Sequence, residues 1–234
     1  MKTILRPSEE QYFLKDALRD LVVVVVGILA ALYLESWWQD RQDRAEEVQL
    51  LTGLRDELVS NKAHLVEVMS NWSSVAESAE RAIDLMGKPA DEVEPESVVR
   101  TFRSTMGIRF FDPRIGQMSS LVSSGKLGLI ESPRLRAKIA DWPSLVEDLD
   151  IERQASIYTL MEGFGPLLGQ FIPSRRGSAF DDRLSELLTD RAIYIQLDIV
   201  IGIMNRALGE GDTILRATDD IIALIDALLR AQED

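Results

Sequence analysis

The sequence predicts an all-α protein: an N-terminal transmembrane helix continuing into a long heptad-patterned helix, followed by a helical bundle. Three observations carry this. Residues Leu21 to Leu34 form an uninterrupted apolar run, apolar residues from Leu51 to Met86 recur at heptad spacing, and the remaining chain is punctuated by helix-start and helix-stop residues. The chain accordingly divides into a short tail (1–16), a span (17–38), a long helix (39–88) and the rest of the bundle (89–234).

The apolar run alone has 14 residues, short of the roughly 20 that a hydrocarbon core of about 30 Å requires. Extending it from Ala17 to Trp38 gives 22 residues and admits Arg19, Asp20 and Glu35 only near the ends, where long side chains reach the wet headgroup layer. Tyr33, Trp37 and Trp38 are candidate membrane-interface residues, because amphipathic rings settle at that boundary. A soluble core helix fits poorly, since five consecutive valines are weak helix formers and leave no polar face. A cleaved signal peptide fits poorly too, because no small-x-small site precedes Trp37. Lys2, Arg6, Lys15 and Arg19 before the span against Arg41, Arg44 and Arg55 after it favour a cytoplasmic N-terminus. The expected location is a bacterial inner membrane, crossed once, with the C-terminal domain periplasmic or extracellular.

The net charge is −13, and residues 39–234 hold 22 basic against 34 acidic residues. This balance argues against nucleic-acid binding, which needs Lys and Arg to neutralise phosphates. It suits a domain held off an anionic bilayer surface. The chain has no cysteine, which excludes disulfides and thiolate metal sites and is silent on compartment.

With Leu51 at position a, the a and d sites run Leu51, Leu54, Leu58, Asn61, Leu65, Val68, Trp72, Val75, Ala79, Ala82 and Met86, and only Asn61 among these eleven is polar. No proline interrupts residues 8–88, so the span and this helix are expected to be continuous, until Gly87 and Pro89 end it. The stripe has two destinations that periodicity does not separate, the bundle of its own domain or a second copy of the chain. Asn61 either sets register there or bonds locally.

Ala90 to Glu96 reads as a loop, and Pro95-Glu96-Ser97 opens a helix to about Thr105. Asp112 and Pro113 read as N-cap and first residue of a helix that carries Met118 and Leu121 and stops at Gly125. Ser132-Pro133 repeats that signature. Trp142-Pro143-Ser144 suggests a further start, leading a segment with Leu145, Leu149, Ile157, Leu160 and Phe164 on one face. Ser174 to Ala179 is the most loop-like stretch, Asp181 and Asp182 precede Leu184, Leu187 and Leu188, and a last helix is expected near Thr213 to Ala231. Over 192–204, isoleucines at 193, 195, 199, 201 and 203 alternate with other residues, a period of two that suggests a strand. No second segment could pair with it, so a buried helix is favoured, and Gln196 and Asp198 argue against a second span.

Val25 to Leu32 running into Ser36-Trp37-Trp38, then Leu50-Leu51 and Arg55-Asp56-Glu57-Leu58, resembles a family of uncharacterised bacterial single-span membrane proteins, a domain of unknown function. The family's usual version has Asn-Trp-Asn where this chain has Ser36-Trp37-Trp38. Ser119 to Ile130 is similar to the family's mid-domain helix ending in a Ser-Gly turn. The resemblance implies a short tail, one span and a helical domain, and supplies no active site.

No residue set specifies a reaction. Ser123 and Lys126 have the Ser-x-x-Lys spacing of penicillin-binding proteins, but Gly125 reads as a helix stop and the companion motifs are missing. His64 is the only histidine, so neither a multi-histidine metal site nor a choice of general base exists, and it reads as a solvated residue flanking the stripe. Glu147, Asp148, Asp150 and Glu152 lack the calcium-loop pattern and read as a solvated face. No catalytic, metal or cofactor-binding residue is expected. Residues 96–140 are net +5 inside an acidic domain. These basic residues either pair with acidic faces of neighbouring helices or form, at Arg109, Phe110, Phe111 and Arg114, a docking point for an acidic partner or a lipid headgroup. The expected function is a membrane-anchored interaction or scaffold module whose partners are the lipid bilayer, a second copy through the heptad face, and an unidentified protein, with no nucleic acid. The alternative is a ligand-sensing bundle in the envelope that signals through oligomerisation or a partner.

Overall fold

In a computed structural model that describes residues 7–172 and 183–233, with side chains over 19–172 and 183–231, every regular element among the described residues is helical. The order is α1 (Pro7–Leu85), α2 (Pro95–Ser104), α3 (Gly116–Ser123), α4 (Pro133–Tyr158), a π-helical turn (Thr159–Phe164), α5 (Gly165–Leu168), α6 (Leu184–Leu187) and α7 (Arg191–Glu233). Short 3-10 turns lie at Ala90–Glu92 and Lys126–Leu129. The loop expected at Ser174 to Ala179, together with Asp181 and Asp182, lies outside the described residues. The chain forms two compact units, Met1–Leu50 and Leu51–Asp234.

In the first unit the described part is α1 alone, and the apolar side chains from Leu21 to Leu34 are all exposed. An 18-residue window there has mean hydropathy 2.0 and none of it is buried by the protein. It is long and apolar enough to cross a membrane.

In the second unit α1 continues from Leu51, and the heptad stripe forms core. Ten of its eleven a and d residues are buried, Asn61 included, and Met86 is half-buried. The stripe is therefore filled by this chain's own helices, and offering it to a second copy would mean opening the bundle. Gly87, at φ +78°, turns the chain out of the helix in the left-handed region that glycine tolerates, and its N–H donates to Leu188 O at 2.7 Å.

The core is a three-helix bundle whose register is written in cross-chain pairs. Arg55 meets Asp226, Lys62 meets Asp219, and Met69 lies against Gly211. Rising numbers on α1 match falling numbers on α7, so the two helices are antiparallel. Lys138 meets Asp220, Trp142 Nε1 donates to Thr218 Oγ1, and Glu152 meets Arg206. By the same count α4 is antiparallel to α7.

The 192–204 segment is helical, as favoured, but not buried all round. Ile193, Leu197, Val200, Met204, Ala207, Gly211, Ile214, Thr218, Ile221 and Ile225 are buried at alternating four- and three-residue steps, whereas Tyr194, Ile195 and Ile199 face outward. This stripe continues through Gly209 and Gly211, so the separate helix expected from Thr213 is the second half of α7. The second apolar helix in the chain, Arg191–Ala231, thus has the burial pattern of a core helix.

Two other expected boundaries are corrected. Pro143 lies inside α4 and does not start a helix. Proline there costs the N–H bond to Ile139 and about 3 kcal/mol, offset by burial of Leu135, Ile139, Trp142 and Leu149 on the same helix. The face expected through Leu145, Leu149, Ile157, Leu160 and Phe164 is also broken. Leu149, Ser156, Thr159 and Phe164 are buried while Ile157 is exposed, and the π turn sets the five-residue step from Thr159 to Phe164. The N-cap expected at Ser132-Pro133 holds, with Ser132 Oγ accepting from Leu135 N–H.

Candidate functional site

Between α2 and α3 the chain from Gly107 to Ile115 forms no regular element and runs along α1, held by side chains of α1 that grip its backbone. Asn71 accepts from Arg109 N–H at 2.8 Å and donates to Gly107 O at 3.0 Å. Trp72 Nε1 donates to Arg109 O at 2.8 Å. Asn61 accepts from Arg114 N–H at 2.9 Å and donates to Arg114 O at 2.6 Å. The spacing fits, because ten residues of helix rise about 15 Å and five residues of non-helical chain reach up to about 17 Å. Within this chain Asn61 does not bond to its own helix; it clamps a segment 53 residues away along the chain.

This clamp explains why Asp112-Pro113 does not start a helix. The groups that would enter the first turn are committed to Asn61, and α3 begins only at Gly116. Its free N–H groups at Gln117 and Met118 donate to the carboxylate of Glu57 on α1, at 2.7 and 3.1 Å. A carboxylate at a helix N-terminus meets both the orphan donors and the positive end of the dipole.

The clamped segment also forms one side of a cleft of about 390 Å³ whose other sides come from α4, α7 and Trp72 of α1. Phe110, Phe111, Pro113, Pro143, Leu149 and Met204 supply apolar lining. Asp112, Glu147, Asp150 and Glu152 line it too, with Arg153. Asp150 Oδ1 lies 2.5 Å from Arg153 Nε, and the hydrogen bond from Gln154, followed by that from Arg153, holds its carboxyl below the usual carboxylate range. Glu152 Oε1 meets Arg206 Nε at 3.0 Å, while its Oε2 is buried and has no hydrogen-bond partner among the described residues.

The four residues expected to form a docking point have different surroundings. Phe110 and Phe111 line the cleft, Arg109 Nη1 is paired with Glu67 Oε1 at 2.6 Å, and Arg114 is exposed with its backbone clamped. The charge beside the aromatics is negative rather than positive. Several basic residues of 96–140 do pair across the bundle, as Lys138 does with Asp220, whose carboxyl is lowered by that hydrogen bond first. His64 is half-buried and not simply solvated, its ring tilted 46° against Phe111 at 5.5 Å between centroids. Among the described residues no group of three or more His, Cys, Asp or Glu side chains could hold a metal ion. On α1, Tyr33 is exposed at the end of the apolar run and Trp37 and Trp38 are exposed just after it.

The acidic lining of α4 was visible in the sequence only as a charge cluster. What turns it into a wall is its position opposite Phe110 to Pro113, which no local pattern encodes. Set against family models, curated proteins and solved structures, the chain finds no match in any of the three.

Proposed function

We propose that this protein is a single-span, membrane-anchored interaction module: α1 tethers it to a bacterial inner membrane and the three-helix bundle is its working part. The observation that carries this is the fully exposed apolar window near the N-terminus. Ten Leu, Ile and Val residues between 21 and 34, at about −0.3 to −0.6 kcal/mol each near the bilayer centre, favour insertion by roughly 3–6 kcal/mol. Tyr33, Trp37 and Trp38 then lie at the headgroup level. The likeness to single-span bacterial proteins is in keeping with this architecture. The balance of Lys and Arg around the span favours an exported bundle.

Alkaline extraction of membranes followed by protease protection of a tag placed after Asp234 tests the proposal. The chain should stay in the membrane pellet, and the tag should be cut once the outer barrier is opened. Release into the alkaline supernatant would refute the anchor; protection until the inner membrane is lysed would refute the orientation. A second reading, a ligand-sensing module, is favoured by the cleft, whose volume falls among those of small-molecule sites. No catalytic role is proposed.

A further inference from the structure

The cleft combines aromatic and acidic lining in a way that limits what fits. A neutral apolar occupant would take the carboxylates out of water without replacing their hydrogen bonds, which is costly. An anion would meet four carboxylates, against Arg153 on the lining and Arg206 beside it, and be repelled. A bare metal ion would find no ligand set among the described residues and would make no use of Trp72, Phe110 and Phe111.

We propose that the cleft binds an organic ammonium that carries N–H donors, a small primary amine on an apolar skeleton. Aromatic rings attract such cations through their π faces within about 6 Å, and carboxylates add charge and hydrogen-bond acceptors. Glu152 is a second, independent sign. Its Oε2 is buried with no hydrogen-bond partner among the described residues, and a buried acceptor lacking a donor is a cost that an N–H donor removes. The last torsion of a glutamate is broad, so this oxygen turns at little cost. Arg206, which holds Oε1, is 61 % exposed and can move aside. Asp112 and Glu147 have no ion-pair partner among the described residues and remain available to the ligand. A phosphate next to the ammonium would face these same carboxylates, so the geometry favours a soluble amine over a zwitterionic lipid headgroup.

Calorimetric titration of the full chain in non-ionic detergent, at fixed ionic strength, tests this with benzylammonium, neutral benzyl alcohol and anionic benzoate. Only the cation should give a saturable heat. Glu152→Gln should weaken it about tenfold or more, and Glu147→Gln, at an exposed residue that leaves folding intact, about threefold. Equal heats for the cation and the alcohol, no saturable heat with the cation, or cation binding unchanged in both folded variants would overturn the proposal. Stronger competition by phosphoethanolamine than by benzylammonium would overturn the assignment to a soluble amine. Membrane extraction is read on other residues, so either result leaves the anchor reading as it stands.

Discussion

Asn61 offers the sharpest test of how the bundle is held. It is 3 % exposed and makes two hydrogen bonds to the backbone of Arg114. Asn61→Ala removes both, at about 0.5–1.5 kcal/mol each, and leaves a peptide unit beside an apolar face, so a loss of about 1–3 kcal/mol is expected. In a unit of this size that lowers Tm by roughly 2–12 °C. Asn61→Leu separates the clamp from a coiled-coil register role. If Asn61 were a polar interruption of a helix–helix seam, leucine would raise stability. Here the Arg114 backbone lies 2.6–2.9 Å from the amide, whereas carbon contacts sit at about 3.5–4.0 Å, so leucine pushes the clamped segment off α1. The assay is urea unfolding of the detergent-solubilised chain by circular dichroism, with hydrogen exchange at residues 107–118. Both variants should be destabilised and lose amide protection there first. Unchanged stability in Asn61→Ala, or a gain in Asn61→Leu, would refute the clamp.

Two further predictions concern the second unit. A Cβ at Gly165 would meet the carbonyl oxygen of Leu160 across the π turn, whereas one at Gly211 would meet only the flexible end of Met69. Gly165→Ala should therefore cost on the order of 2 kcal/mol or more, while Gly211→Ala should be near neutral as helix propensity offsets the displaced methionine; urea midpoints that reverse this order would count against the π geometry. The carboxyls of Asp150 and Asp220 are both lowered in the folded state. Their stabilisation is complete above the unfolded carboxylate value of about 3.9 and fades as pH falls through their folded values. The urea midpoint should drop below about pH 4, less steeply in Asp150→Asn and in Asp220→Asn than in the unsubstituted chain, and an acid slope unchanged in both variants would contradict the pairing.

What the sequence disclosed and what it withheld divide along the range of the interactions. The apolar run, the α1 stripe, the cap at Ser132 and the stop at Gly87 each depend on residues within a few positions, and each was legible. Asp112-Pro113 misled because its local cap signal competes with Asn61, 53 residues away along the chain, and α3 is instead capped by Glu57 from 60 residues away. Pro143 misled because burial on α4 outweighs a missing hydrogen bond. The stripe of α7 was present as alternating four- and three-residue steps, but the isoleucines at odd positions mask it with a period of two. The cleft was least legible, since its lining comes from α1, the clamped segment, α4 and α7.

The antiparallel pairing of α1 with α7 has a consequence for how the protein is made. Arg55 and Asp226 are separated by 171 positions, and Lys62 and Asp219 by 157, whereas Trp142 and Thr218 are separated by 76. At about 5–20 residues per second, the stripe of α1 leaves the ribosome roughly 10–35 s before its partner exists. The α4–α7 hairpin closes the shorter loop and is expected to form first. During synthesis the stripe of α1 therefore waits uncovered until α7 has been made. Chaperone dependence in this protein should concentrate on residues 51–85, and slowing translation should lengthen that exposure.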